Sequence, residues 1–396
     1  MASYVSSCFF DVFKHLSTGH TITNDMLLTI RYSERLYYTA VKQPSDDDQH
    51  IARRCAWATL CPILSGMLLI ALLLTVILLL CPWLLVGCTF EAAQVPEIIE
   101  DYTPRLISFS SCMGNWVDHS LMHRIDSDVH IFLGDSIYGD DYSYEFEDRK
   151  PSWLSFLKLP VHMALYYQLM YRKLSCRHSF KRLFLRVPYV LSIWDDHDYG
   201  SDDETSSNPM KHHARQMFQE FWNLNAQRRR RVGGVYGSYE FRNARGRSVL
   251  IVLPDLHYST NPTRLFDAQQ WRWLTSLLTR HAHATIIVGM STPISGLQST
   301  YPHEIDTLLS MLNPSTSVII SGDPHVPRLA YLPSGHMDIT SSPLAMVGSA
   351  PARHAICHTN CTIDKNQDNY GLIDLQASVG FIMSAHGPLL QAKIFA

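Results

Sequence analysis

From Arg105 onward, short apolar, β-branched runs of strand length alternate with stretches whose apolar residues follow helical spacing. The runs Leu106–Phe109, Val129–Leu133, Tyr189–Trp194, Val249–Leu253, Thr285–Val288 and Ser317–Ile320 are predicted strands. Met210–Gln227 and Ala268–His281 are predicted helices, the second with Trp271, Leu274 and Leu278 on one stripe. Gly233–Glu240 reads as a glycine-rich hairpin or strand. The rhythm is that of an α/β domain over 105–396.

Upstream the pattern is different. No charged residue occurs from Ala56 to Phe90, and Met67 to Leu80 is apolar apart from Thr75. About 20 apolar residues cross a bilayer, so 56–90 is predicted to be a transmembrane helix with its core at about 63–86. The run starts too far into the chain, and is too long, for a cleaved signal peptide. Residues 1–55, polar with an acidic patch at Asp46–Asp48, read as a cytoplasmic tail, and 91–104, with Pro96, Pro104 and several acids, as a stalk. Lys42, Arg53 and Arg54 precede the span, whereas Glu91, Glu97, Glu100 and Asp101 follow it before Arg105. That bias puts the N-terminus in the cytoplasm and everything from the stalk onward in a lumen or outside the cell, as a single-pass protein with a signal anchor.

The 396 residues include 46% hydrophobic and 17% charged positions, enough for a sizeable core, and the formal net charge is −3. A charge so near neutrality does not point to a nucleic-acid partner, and no obligate protein partner is evident. The one dense basic block, Arg228–Arg231, reads as a solvated helix end. Nine cysteines form no zinc pattern. On an oxidising side of the membrane, Cys357 and Cys361 are expected to pair, and Asn360-Cys361-Thr362 becomes a glycosylation sequon.

The ends of the strands carry the chemistry. The first run leads into Ser110-Ser111-Cys112, the second into Gly134-Asp135, the third into Asp195-Asp196-His197-Asp198, the fourth into Asp255-Leu256-His257 and the last into Gly322-Asp323-Pro324-His325. In an open α/β sheet the loops at the carboxyl ends of strands line the ligand crevice. A lone acid after a strand is more often a turn cap. The Asp195–Asp198 run differs, because crowded carboxylates repel one another unless cations or solvent screen them. Aspartate, histidine and cysteine together suit hard or borderline cations, and two such ions sharing a carboxylate activate water and clamp a phosphoryl group. No Gly-x-Ser-x-Gly elbow and no phosphate loop ending in Gly-Lys-Ser/Thr is present, so serine hydrolases and nucleotide-driven enzymes are disfavoured.

Taken in order, Phe109-Ser110-Ser111-Cys112, Leu133-Gly134-Asp135-Ser136-Ile137-Tyr138, Trp194-Asp195-Asp196-His197-Asp198-Tyr199-Gly200, Gly234-Val235-Tyr236-Gly237-Ser238-Tyr239, Gln270-Trp271-Arg272-Trp273-Leu274 and Ser321-Gly322-Asp323-Pro324-His325 resemble the PhoD-like alkaline phosphatases, a branch of the calcineurin-like metallophosphoesterases. The resemblance covers about Leu106 to Asp374. It implies a sandwich of two mixed β-sheets flanked by helices, and hydrolysis of phosphate esters by a metal-activated water at a site with two ions, iron and calcium or other divalent cations. Cys112, Asp135, Tyr138, Asp196, Asp323 and His325 are the implied metal ligands, with Asp135 and Asp323 bridging. Asp196 and His197 are the implied catalytic pair, His197 facing the phosphoryl group as donor or general acid. Family members often carry arginine where this chain has His257, which is expected to face substrate in its place. A catalytically silent, membrane-tethered lumenal binding or scaffold protein of the same fold is the alternative.

Overall fold

The computed structural model of the chain describes residues 66–67, 69–73, 75, 90–115, 117, 119–140, 160–245, 247–346, 355–356, 360–362 and 367–395. The chain divides into two units, Met1–Pro82 and Trp83–Ala396. In the first, the described positions are helical, with the apolar side chains of Met67, Leu69, Ile70, Leu72 and Leu73 exposed. Among the described residues no helix is long and apolar enough to cross a membrane. The predicted span 56–90 lies largely outside those residues, and the tail 1–55 wholly so.

In chain order, the strands of the second unit are β1 (Ile98–Glu100), β2 (Leu106–Ser110), β3 (Val129–Leu133), β4 (Tyr189–Ile193), β5 (Gly237–Arg242), β6 (Ser248–Leu253), β7 (Thr285–Met290), β8 (Ser317–Ser321), β9 (Arg328–Tyr331), β10 (Met337–Thr340), β11 (Ala355–Ile356), β12 (Cys361–Thr362), β13 (Tyr370–Asp374), β14 (Val379–Ser384) and β15 (Gly387–Lys393). They form two mixed sheets, ordered β1-β5-β6-β7-β8-β10-β9-β12 and β11-β15-β14-β13-β2-β3-β4. Within them β2, β3 and β4 run parallel, as do β6, β7 and β8. The predicted sandwich of mixed sheets is therefore the architecture observed, and every predicted strand is present.

The apolar runs are continuous because both faces of these strands are covered. Ile251, Leu253, Ile287, Val318 and Ile320 face the other sheet, joining Ile107, Phe109, Ile131 and Leu133 in one core. The alternate residues Leu250, Val252, Ile286, Val288 and Ile319 turn outward under the helices Ala268–Arg280, Ile294–Thr300 and Pro302–Ser310, meeting Leu274, Leu278, Ile305 and Leu308. Each such side chain contributes about 1.5–3 kcal/mol when fully buried.

Three readings need correction. Residues 91–104 are not a stalk: β1 adds in parallel to β5, and Ala92, Val95 and Ile99 are buried. Apolar residues spaced between acids are enough to complete a sheet edge. The helix expected over Met210–Gln227 is two, Lys211–Phe221 and Ala226–Arg230, because Asn223 takes a positive φ of 46° and the Asn225 side chain caps the second by accepting from Arg228 N (3.0 Å). Of the basic block, Arg229 and Arg230 are exposed at the helix end as expected, but Arg228 is not. It is fully buried, donating to Ser192 O at 3.1 Å, Tyr239 OH at 2.9 Å and Val235 O at 3.0 Å, so carbonyls replace its water. The Arg231 guanidinium lies 4.8 and 5.0 Å from the rings of Tyr236 and Trp273.

Candidate metal centre

The carboxyl ends of β2, β3 and β4 in one sheet meet those of β6 and β8 in the other. Cys112 N donates to Gly134 O (3.3 Å) and Met113 N to Asp135 O (2.8 Å), so the first two strand ends are laced together. Gly134, at φ +101°, lets the chain turn where a Cβ would stand 2.6 Å from Asp195 N. Gly322 is required by proximity: a Cβ there would lie 2.6 Å from that of Ser111. Cys112 (φ 58°), Asp135 (49°), Asp323 (74°) and His325 (53°) all occupy the left-handed region that side chains avoid. Such strain clusters where surrounding structure over-determines a functional geometry.

Two groups of ligand-type atoms, each within 4.8 Å of one another, lie here: Cys112, Asp135 and His325, and Asp135, Asp196 and His197. Asp135 belongs to both. Its Oδ2 accepts from Cys112 Sγ (3.4 Å) and Tyr138 OH (3.3 Å). Its Oδ1 is buried with no hydrogen-bond partner among the described residues. Tyr138 OH also lies 3.1 Å from His325 Nε2, and its ring packs against that of His197, tilted by 34° with centroids 4.3 Å apart. The Asp196 carboxylate accepts from His197 N (2.9 Å) and Asp203 N (2.6 Å). The Asp323 side chain is in neither group; its backbone carbonyl is 3.4 Å from Cys112 Sγ. The predicted residues thus gather at one place, with Asp323 contributing closeness of charge.

The Asp135 and Asp196 carboxylates, the Cys112 thiol and the Tyr138 phenol are buried and crowded together. Burial, followed by the carboxylates of Asp195, Asp196, Asp198 and Asp323, holds Asp135 well above the ordinary carboxylate range. Burial and the charges of Asp195 and Asp196 push Asp323 up to about 8. Burial and Asp135 raise the Cys112 thiol, and burial raises Tyr138. A cation reverses each of these, stabilising the anionic ligand forms. A buried, unpartnered Oδ1 on the shared carboxylate, among sulfur, phenol, carboxylate and imidazole donors, fits a pair of cations.

The Asp195–Asp198 run divides its work. Asp198 is fully buried and clamps the two turns, accepting from Ser136 N and Ile137 N (3.2 Å each), Asp195 N (3.3 Å) and Tyr171 OH (3.2 Å). Burial, with the Asp195 charge, pushes its pKa up to about 7, although the backbone N–H groups that satisfy it act to lower it. Asp195 Oδ1 lies 2.7 Å from His257 Nε2, whose Nδ1 is 3.0 Å from Glu204 O. Both ring nitrogens of His257 are therefore occupied by the protein, which corrects its expected role facing substrate. Glu204 O can only accept, so Nδ1 carries a proton. Burial lowers the pKa of His257, but the Asp195 hydrogen bond and charge outweigh it and push it up to about 9.

Asp140 escaped sequence reasoning. Its Oδ1 is 2.7 Å from His197 Nδ1, leaving Nε2 as the ring nitrogen turned elsewhere, 3.9 Å from Asp202 Oδ1. Burial lowers the His197 pKa, while the Asp140 hydrogen bond and the Asp196 charge raise it further, to about 9. A carboxylate a few residues after a motif is the signal that would have found it. Ser342 was missed also; its hydroxyl is 3.0 Å from Cys112 Sγ.

A scan against protein-family models gives no match, and neither does a search of curated proteins. Among solved structures, the chain is similar to PhoD, with 13% identity and a TM-score of 0.54 over 75% of this chain and 67% of that one. It is also similar to a dimetal phosphatase from Danio rerio, with 12% identity and a TM-score of 0.44 over 74% of this chain and 99% of that one. The likeness to PhoD is one of fold, and that fold agrees with the one the sequence motifs implied.

Proposed function

We propose that the second unit is a metal-dependent phosphoric ester hydrolase of the PhoD-like kind, acting with two ions held by Cys112, Asp135, Tyr138, Asp196, Asp323 and His325. The observation that carries this reading is the sharing of Asp135 between two ligand groups, with its Oδ1 buried and unpartnered. Bound ions would polarise the ester and acidify a water molecule; the family resemblance implies iron beside Cys112 and Tyr138, and calcium or another divalent cation beside Asp196. His197, held by Asp140 at Nδ1, presents Nε2 as a proton donor to the phosphoryl or leaving oxygen. Asp195 and Asp198 keep their turns in place and touch no substrate.

Metal analysis of the purified full chain, together with hydrolysis of a chromogenic monoester and diester, tests the reading. Bound metal, and activity that disappears in Asp135→Ala and Asp196→Ala, are expected. A metal-free protein, or variants as active as wild type, would overturn it.

The charge-free stretch 56–90 supports a membrane anchor with the hydrolase on the exported side. Cys176 and Cys361 each belong to a disulfide, which supports an oxidising compartment. Asn360 is exposed and accepts from Tyr331 N (2.7 Å), within reach of glycosylation. Glycosylation of Asn360 in a eukaryotic host, and protection of 105–396 from protease in sealed vesicles, are the expected results; digestion of that region in intact cytoplasmic-side-out vesicles would reverse the topology.

A further inference from the structure

Ser342 lies on a loop that none of the sequence motifs includes, between β10 and the bridge of Ala345 to Met113. The loop is buried and pinned. Ser341 Oγ donates to Asn369 Oδ1 (2.9 Å), Asn369 Nδ2 donates to Ser342 O (2.8 Å), and Asn369 N donates to Pro343 O (2.7 Å). Leu344 N and Ala345 N donate in turn to Ser111 O and Cys112 O, at 2.8 and 3.3 Å, fastening the loop to the end of β2. All of Ser341, Ser342 and Asn369 are inaccessible to solvent. This much fixation delivers one hydroxyl: Ser342 Oγ stands 3.0 Å from Cys112 Sγ and 3.1 Å from Asp323 O, and accepts from His325 N at 3.2 Å.

We infer that Ser342 is a positioning residue of the metal centre, whose hydroxyl donates a hydrogen bond to the Cys112 sulfur once that sulfur is a metal-bound thiolate, and so sets the donor strength of the thiolate. This rests on the proposed metal reading. A hydroxyl has one proton to give, and two acceptors compete for it here. As a thiol, Cys112 is itself a donor, within 3.4 Å of both Asp135 Oδ2 and Asp323 O. Ligation removes that proton and leaves the sulfur anionic, an acceptor stronger than a neutral carbonyl. The Ser342 proton then belongs on sulfur. The His325 N–H on the same oxygen polarises the hydroxyl further, forming a chain from His325 N through Ser342 Oγ to Cys112 Sγ. Ser111 Oγ, 3.3 Å from the same sulfur, is a second and longer contact that also reaches Ser341 O at 3.2 Å. Partners of this kind orient ligands and tune the metal they hold.

The full chain saturated with Co(II) gives the test, read from the near-ultraviolet thiolate-to-metal charge-transfer band. A hydrogen bond lowers the energy of the sulfur electrons. Removing it in Ser342→Ala is expected to move the band to longer wavelength and to weaken Co(II) binding roughly tenfold. Ser342→Gly, which also lacks the hydroxyl, should shift the band in the same direction, and Cys112→Ala should abolish it. A role confined to packing would leave the band in place. If the band exists in wild type, vanishes in Cys112→Ala, and stays unmoved in both Ser342 variants, the inference is overturned while the metal reading stands. If wild type shows no such band, the placement of Cys112 on the metal fails, and the inference with it.

Discussion

Replacing His257 by leucine takes from the buried Asp195 carboxylate its 2.7 Å imidazole partner, while its Oδ2 has no partner among the described residues. Asp195 is 1% and His257 8% exposed, so no solvent is available to take over the lost contact. Breaking a buried pair from one side costs about 3–5 kcal/mol. The titration gives a figure of the same size: the rise of His257 from its ordinary value of 6.5 to about 9 corresponds to roughly 3 kcal/mol, at about 1.4 kcal/mol per pH unit. Because the folded pKa lies above the unfolded one, this stabilisation is fully present below about pH 6.5 and is lost as the pH rises through about 9. Urea unfolding of the full chain, with chelator present so that no ion substitutes for the imidazolium, should show the full deficit of His257→Leu at pH 6 and most of it gone at pH 10. Asp195→Asn serves as the control, since it removes the carboxylate and should lose its own pH dependence over the same window. A deficit under about 1 kcal/mol at pH 6, or one equally large at pH 10, would refute the account of the pair.

Asp140→Asn removes the charge that holds His197 up at about 9; the alkaline limb of kcat/KM should move to lower pH by roughly 1–2 units, the equivalent of one hydrogen bond to a charged group, and a limb that stays where it was would show that His197 is not the titrating donor. Gly134→Ala forces a side chain into φ +101° against Asp195 N, so it should cost about 2–5 kcal/mol in unfolding experiments and lower the metal content. Elemental analysis should find that Asp135→Ala loses both ions and Cys112→Ala one; equal losses would deny that Asp135 is shared.

The six apolar strands were legible because the sandwich covers both their faces, so each reads as an unbroken hydrophobic run. β13 and β14 were not, since one face of each is only partly covered and a glycine, Gly371 or Gly380, interrupts the apolar residues of Tyr370–Asp374 and Val379–Ser384. β1 hid in a short acidic segment. The candidate metal centre was legible at the strand ends, where glycine and acid stand together, but the meaning of each acid was not. Asp196 and Asp198 are identical in sequence terms and both accept backbone N–H groups; only the turn geometry puts Asp196 beside Asp135 and His197 and turns Asp198 inward to the Gly134 turn. His257 was placed by analogy with an arginine, yet an imidazole is shorter and finds Asp195 and Glu204 first. Arg228 and Ser342 depend on partners distant in sequence, Ser192 and Cys112, which no local pattern announces.

The left-handed backbone at Cys112, Asp135, Asp323 and His325 predicts how the candidate centre would erode in a lineage that no longer used it. At each position glycine relieves about 1 kcal/mol or more of conformational strain, so these four side chains persist against the pull of the fold's own stability. A lineage freed from the chemistry gains by exchanging them for glycine or asparagine, while the sheets beneath need not change at all. The erosion of a retired centre would therefore begin at the turns and leave the strands untouched, and a sequence with both sheets intact but glycine at these places marks a descendant that has given the chemistry up.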